Sequence, residues 1–97
     1  MPNYISLLQF TEQGSRNLKH TVTRSGAASA AAEKMGMKII DSFWTMGAYD
    51  LVLVLEAPDD ETVAAFVTKL GSLGNVKTHT MRAFSPEEMR GILAKIT

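Results

Sequence analysis

Ninety-seven residues carrying ten basic and ten acidic side chains and no cysteine make a chain of zero formal net charge. That balance argues against a nucleic-acid binder, which needs a basic face to displace counterions, and the missing thiols exclude disulfides, cysteine catalysis, iron–sulfur ligation and cysteine zinc sites. A hydrophobic share of 45% with 21% charged residues is ordinary for a folded protein, and the length suits one domain over residues 1–97.

The opening Met1-Pro2-Asn3-Tyr4-Ile5 has neither the basic nor the apolar segment of a signal peptide. No apolar run approaches bilayer length. The expectation is a cytoplasmic protein that engages neither membrane nor nucleic acid.

Residues 4–11 alternate loosely, with Tyr4, Leu8 and Phe10 on one parity and Ile5 and Leu7 on the other, and predict strand one. Thr11-Glu12-Gln13-Gly14 reads as a turn. Residues 15–35 read as helix one, with a break near Thr21–Thr23 where β-branched residues cluster. Its stretch Ala27-Ala28-Ser29-Ala30-Ala31-Ala32 favours helix but offers only small side chains, so this face either packs close to a sheet or leaves a gap above it. Gly36 is a C-terminal stop.

Strand two covers 37–45, with Met37, Ile39 and Phe43 opposed to Ile40 and Trp44, and Met46-Gly47-Ala48 gives a short hairpin turn. Strand three runs from Tyr49 to Glu56. Pro58-Asp59-Asp60-Glu61 opens helix two, capped by Asp59 or Asp60, with Val63, Phe66, Val67 and Leu70 as its buried stripe and Gly71 and Gly74 at its end. Residues 75–84 form strand four, the most polar one. Ser85, Pro86 and Glu88 spell a capping box with proline at the first helical position, and Met89, Ile92, Leu93 and Ile96 give the terminal helix an apolar stripe. The order β-α-β-β-α-β predicts an α+β, ferredoxin-like fold with an added C-terminal helix.

Strand three sets the assembly. Leu51, Leu53 and Leu55 point one way and Val52 and Val54 the other, so both faces are apolar. Leaving either set in water forgoes roughly 1.5–3 kcal/mol per side chain. The helices of such a fold cover one face only. A second copy over the other face, related by a two-fold axis, makes a homodimeric α/β barrel.

Gly47-Ala48-Tyr49-Asp50, followed by the hydrophobic strand and Glu56-Ala57-Pro58-Asp59-Asp60, resembles the GYD domain family. Thr11-Glu12-Gln13-Gly14, Ala32-Glu33-Lys34-Met35-Gly36, Gly74-Asn75-Val76 and Thr80-Met81-Arg82-Ala83-Phe84 agree in order and spacing, from about Tyr4 to Met89. The resemblance implies a ferredoxin-like dimeric α/β barrel and little about activity. Two features depart from its pattern: Val22 where a proline is expected, and the alanine cluster with Gly26 where bulkier residues are expected.

Two residues are candidates for catalysis. Asp50 begins a buried strand beside Tyr49 and offers a general base, with Arg82 or Arg24 as its basic partner. His79 is the best proton shuttle available. The competing assignments are a turn aspartate bonded to local backbone and an exposed strand histidine. Trp44 and Tyr49 would wall an apolar cleft with Asp50, Thr80 and Arg82 as polar anchors, and Arg24 is a further ligand-binding candidate. With two histidines and no metal-ligand spacing, no metal site is built, and no phosphate loop or nucleophilic serine motif calls for a cofactor. The expectation is a homo-oligomer binding a small apolar molecule between sheet and helices. Fold analogy extends this to a cofactor-free oxygenase or isomerase. The alternative is a ligand-sensing or assembly module without catalysis.

Overall fold

The computed structural model describes all 97 residues. Strands β1 (Asn3–Phe10), β2 (Lys38–Trp44), β3 (Leu51–Glu56) and β4 (Val76–Ala83) form one antiparallel sheet in the order β2-β3-β1-β4. Helices α1 (Glu12–Arg16) and α2 (Thr21–Lys34) follow β1, α3 (Asp60–Ser72) follows β3, and α4 (Pro86–Leu93) follows β4. This is the ferredoxin-like arrangement that the order of elements predicts.

Helix one differs from its expected form. Thr11-Glu12-Gln13-Gly14 is a helix start, because the Thr11 hydroxyl accepts the Gly14 N–H at 3.1 Å and caps α1. The break lies before Thr21, at Asn17 and a 3-10 turn over Leu18–His20. Asn17 ends α1 with its side chain donating to the Gln13 carbonyl at 3.1 Å, and the β-branched Thr21 and Val22 begin α2 instead of interrupting it. The link between β2 and β3 is also longer than a tight hairpin. Thr45 N–H bonds the Asp50 carbonyl at 2.9 Å, and Gly47 takes φ +104°, a conformation that favours glycine.

The two faces of the sheet have different fates. Tyr4, Ser6 and Leu8 of β1 stand beside Leu55, Leu53 and Leu51 of β3 and are buried under the helices. Ala32, Met37, Ala57, Val63 and Phe66 complete that core. On the opposite face, Ile5 and Leu7 stand beside Val54 and Val52, with Phe43 and Met81 flanking them. No helix crosses this face, and Phe43 is 58% exposed. The molecule is 19 Å through its shortest dimension, the thickness of one sheet and one helix layer.

A bulge at Ile40 decides which aromatic residue reaches the open face. Strict alternation would put Ile39 and Phe43 on one side. The register slips between Ile39 and Asp41, so Ile39 pairs with Leu55 on the helix side while Phe43 pairs with Val52 on the open side. Sequence alternation carries no mark of the inserted residue.

Both later helices start as expected. The Asp59 carboxylate accepts from Thr62 N–H at 2.8 Å and from its hydroxyl at 2.6 Å. Ser85 and Glu88 form the reciprocal capping box. The Ser85 N–H, and then the Arg82 guanidinium, hold the Glu88 carboxyl below the ordinary glutamate range. The apolar stripe of α4 is mostly uncovered, with Met89 and Leu93 exposed, and the helix ends before Ile96, which is exposed as well. No helix is long and apolar enough to cross a membrane.

Candidate ligand cavity

The alanine cluster leaves a gap. Thr21, Arg24, Ser25, Ala28 and Ala31 recur at helical spacing on the sheet-facing side of α2, and Phe66, Lys69 and Leu70 do the same on α3, with Leu73 at its C-cap. The two helices do not pack closely on each other, and alanine is too short to fill the space beneath. A cavity of about 410 Å³ results, floored by Leu8, Phe10, Ile39, Leu51, Leu53 and Val76. Small-molecule sites typically run from ~300 to ~1,000 Å³ and are mostly apolar.

Its polar groups gather toward one end. Thr21, Arg24 and Ser25 come from the start of α2, Lys69 from late in α3, and Asn75 from the turn before β4. Arg24 donates to the Asn17 carbonyl at 2.6 Å and to the Gly14 carbonyl at 3.4 Å. Neither Arg24 nor Lys69 meets a carboxylate, since the ion pairs are Arg16–Glu12 and Arg82–Glu88. No acidic side chain and no histidine lines the cavity.

The residues singled out from the sequence do not share one site. Arg24 alone lines this cavity. Trp44 lies beside it, its indole N–H donating to the Thr21 hydroxyl at 3.0 Å. Asp50 closes the end of the sheet: its carboxylate accepts the Phe10 N–H at 2.8 Å and its own N–H bonds the Leu8 carbonyl at 2.8 Å. Its partner is therefore backbone, not the expected Arg82 or Arg24, because the loop after Thr45 sets it against β1. Tyr49 and His79 sit on the opposite, open side, edge to face at 5.6 Å between ring centres. Gln9 holds that corner, meeting His79 at 3.2 Å and the Ala48 carbonyl at 3.0 Å.

Thr80 and Arg82 lie on β4 at a second, more open recess of about 310 Å³ between β4 and α3, which Tyr4 and Asp60 also line. Thr80 shares a hydrogen bond of 2.8 Å with Ser6. Arg82 pairs with Glu88 at 3.0 Å, bonds the Asn3 and Ala83 carbonyls, and stacks over Phe84 at 4.5 Å. An apolar cleft walled by Trp44 and Tyr49 is thus not formed, because the bulge and the long loop carry these rings to different sides of the sheet. No group of three or more histidine, aspartate or glutamate side chains is close enough to hold a metal ion.

Within the second recess, Tyr4 donates to Asp60 at 2.5 Å. That hydrogen bond, and then burial, push its phenol up to about 12. The folded value lies above the ordinary 10.0, so the contribution to stability is whole below pH 10 and is lost as pH rises from there toward 12. In a Tyr49→Phe background, the near-ultraviolet titration of Tyr4 should have its midpoint near 12, and Asp60→Asn should bring it back toward 10. A midpoint that Asp60→Asn leaves in place would remove the aspartate as its cause.

Sequence reasoning passed over Thr21, Ser25, Lys69 and Asn75. Lys69 left a readable signal, a cation set within the apolar stripe of Phe66, Leu70 and Leu73.

A four-stranded antiparallel sheet with one face roofed by spaced helices defines a small α+β domain of ferredoxin-like fold. The chain belongs to the GYD domain family, which matches over residues 4–93. It is 34% identical over 84 residues to a Thermus thermophilus protein called glutamine synthetase and cystathionine beta-lyase binding protein, covering 86% of this chain and 88% of that one. Among solved structures, TTHA0845 from Thermus thermophilus aligns with a TM-score of 0.57 at 24% identity, covering 88% of this chain and 95% of the other. MtbAldR aligns with a TM-score of 0.68 at 14% identity over 87% of this chain, which spans 53% of MtbAldR. These two likenesses concern the fold.

Proposed function

We propose that this protein is a homo-oligomeric binding module that holds a small, largely apolar molecule between α2, α3 and the sheet, without catalysing its conversion. The cavity under the alanine face of α2 carries this proposal. Its lining can bind and orient, but it offers no carboxylate or imidazole to move a proton at neutral pH. The two candidates for acid–base work, Asp50 and His79, serve backbone bonding and the open face instead. The open face supports self-association, since a second copy would cover Ile5, Leu7, Phe43, Val52 and Val54. The similar Thermus protein is named for binding enzymes, and a role in binding other molecules agrees with a site that lacks a reactive group.

Native mass spectrometry of gently purified protein tests the cavity. The wild type should carry a bound small molecule. Ala28→Trp and Ala31→Leu, which fill the space with side-chain atoms, should be folded by circular dichroism and lack it. A wild type with no adduct, or folded variants that both retain it, would overturn the proposal.

A further inference from the structure

We infer that the cavity selects an amphipathic carboxylate, with an aliphatic or ring body under α2 and its anionic head at Arg24 and Lys69. This rests on the binding function proposed above and adds the charge of the ligand.

The two cations are the observation that carries it. Both line the cavity, and no acidic residue lines it with them. Neither forms an ion pair, so no carboxylate of the chain competes for them. Arg24 is also half-buried and held by two backbone carbonyls, which leaves further guanidinium N–H donors and fixes the direction of the group. Thr21, Ser25 and Asn75 lie toward the same end and supply neutral donors. The opposite end, formed by Ala31, Ile39 and Leu53, offers only hydrocarbon. A neutral apolar ligand would cover the half-buried Arg24 and return nothing for the water it loses, while the exposed Lys69 can swing its ammonium to a bound anion. A carboxylate replaces that water with charge-assisted hydrogen bonds, which are roughly twice as strong as neutral ones. A dianion or a phosphate ester without an apolar body would leave the hydrocarbon end unfilled.

The probes are sodium octanoate and 1-octanol, matched in chain length, titrated into the full-length protein at neutral pH and followed by amide chemical shifts. Octanoate should bind with shifts centred on Ala28, Ala31 and Phe66, at least about tenfold more tightly than octanol, as expected for one or two hydrogen bonds to a charged head. In Arg24→Gln/Lys69→Gln the two affinities should converge to within about twofold. Because Arg24 also ties α2 to Gly14 and Asn17, Lys69→Gln alone provides a variant that leaves those bonds intact, and it should narrow the ratio in the same direction. Equal binding of both probes to the wild type would leave the cavity as a ligand site and overturn its choice of anions. Binding of neither would overturn the cavity as a site, and with it the anion inference.

Discussion

Val52→Lys should sediment at half the mass of the wild-type protein while keeping its circular dichroism spectrum. Val52 occupies the middle of the open face, between Leu7 on β1 and Phe43 on β2. On the free chain a lysine there can extend its ammonium into water, so the fold is spared. In a two-fold pair of sheets, each assembly would bury two such groups without partners. An uncompensated buried charge costs about 3–5 kcal/mol, so two of them weaken association by roughly 10⁴- to 10⁷-fold. Thr68→Lys, at an exposed position of α3, should leave the mass unchanged. Sedimentation equilibrium at micromolar concentration decides the matter, and a monomeric wild type would refute self-association through this face.

Gly14→Ala should lower folding stability by about 3 kcal/mol, at the upper end of the usual cost of overpacking. Gly14 is buried in α1, and a methyl group there would lie 2.0 Å from the Asn75 carbonyl oxygen. The obstruction is backbone, so no rotamer change relieves it. Moving α1 away would also stretch the bonds that hold it to the turn before β4: Thr11 N–H to the Asn75 carbonyl at 3.1 Å, the Thr11 hydroxyl to the Gly74 carbonyl at 2.5 Å, and Gln13 to the Leu73 carbonyl at 3.0 Å. Gly26→Ala makes the opposite case. Nothing lies within 4 Å of the added methyl in α2, and alanine gains about 1 kcal/mol over glycine inside a helix. Urea unfolding of the two variants should therefore move the midpoint in opposite directions. A shift of the same sign in both would contradict the packing at Gly14.

The frame of the fold was legible because its signals are local. Leu51–Leu55 announces a strand with two apolar faces, and Ser85-Pro86-Glu87-Glu88 announces a helix start through hydrogen bonds within four residues. Tertiary choices were not legible. The bulge at Ile40 arises where Ile39 pairs with Leu55 and Asp41 with Val54 across the sheet, and it sets the side taken by Phe43. The candidate site failed to gather for a related reason. Asp50, Tyr49 and Trp44 lie close together in the chain, but a loop returning from a strand end points successive side chains toward the sheet end, the open face and α2. The cavity itself was half legible. The alanine run allowed either a gap or a close approach, and only the separation of α2 from α3 chose between them.

The margins of the sheet carry a consequence of their own. β2 and β4 are its outermost strands. β2 bears Lys38, Asp41 and the kink at Ile40, and β4 bears Lys77 and His79 in exposed positions. Charged groups and a bulge are the features that discourage a foreign strand from zipping onto an edge. Growth sideways into ribbons is thus opposed at both borders, while stacking broadside remains open. Such edges bias the sheet away from fibrils, even though its central strand is a run of five aliphatic side chains from Leu51 to Leu55.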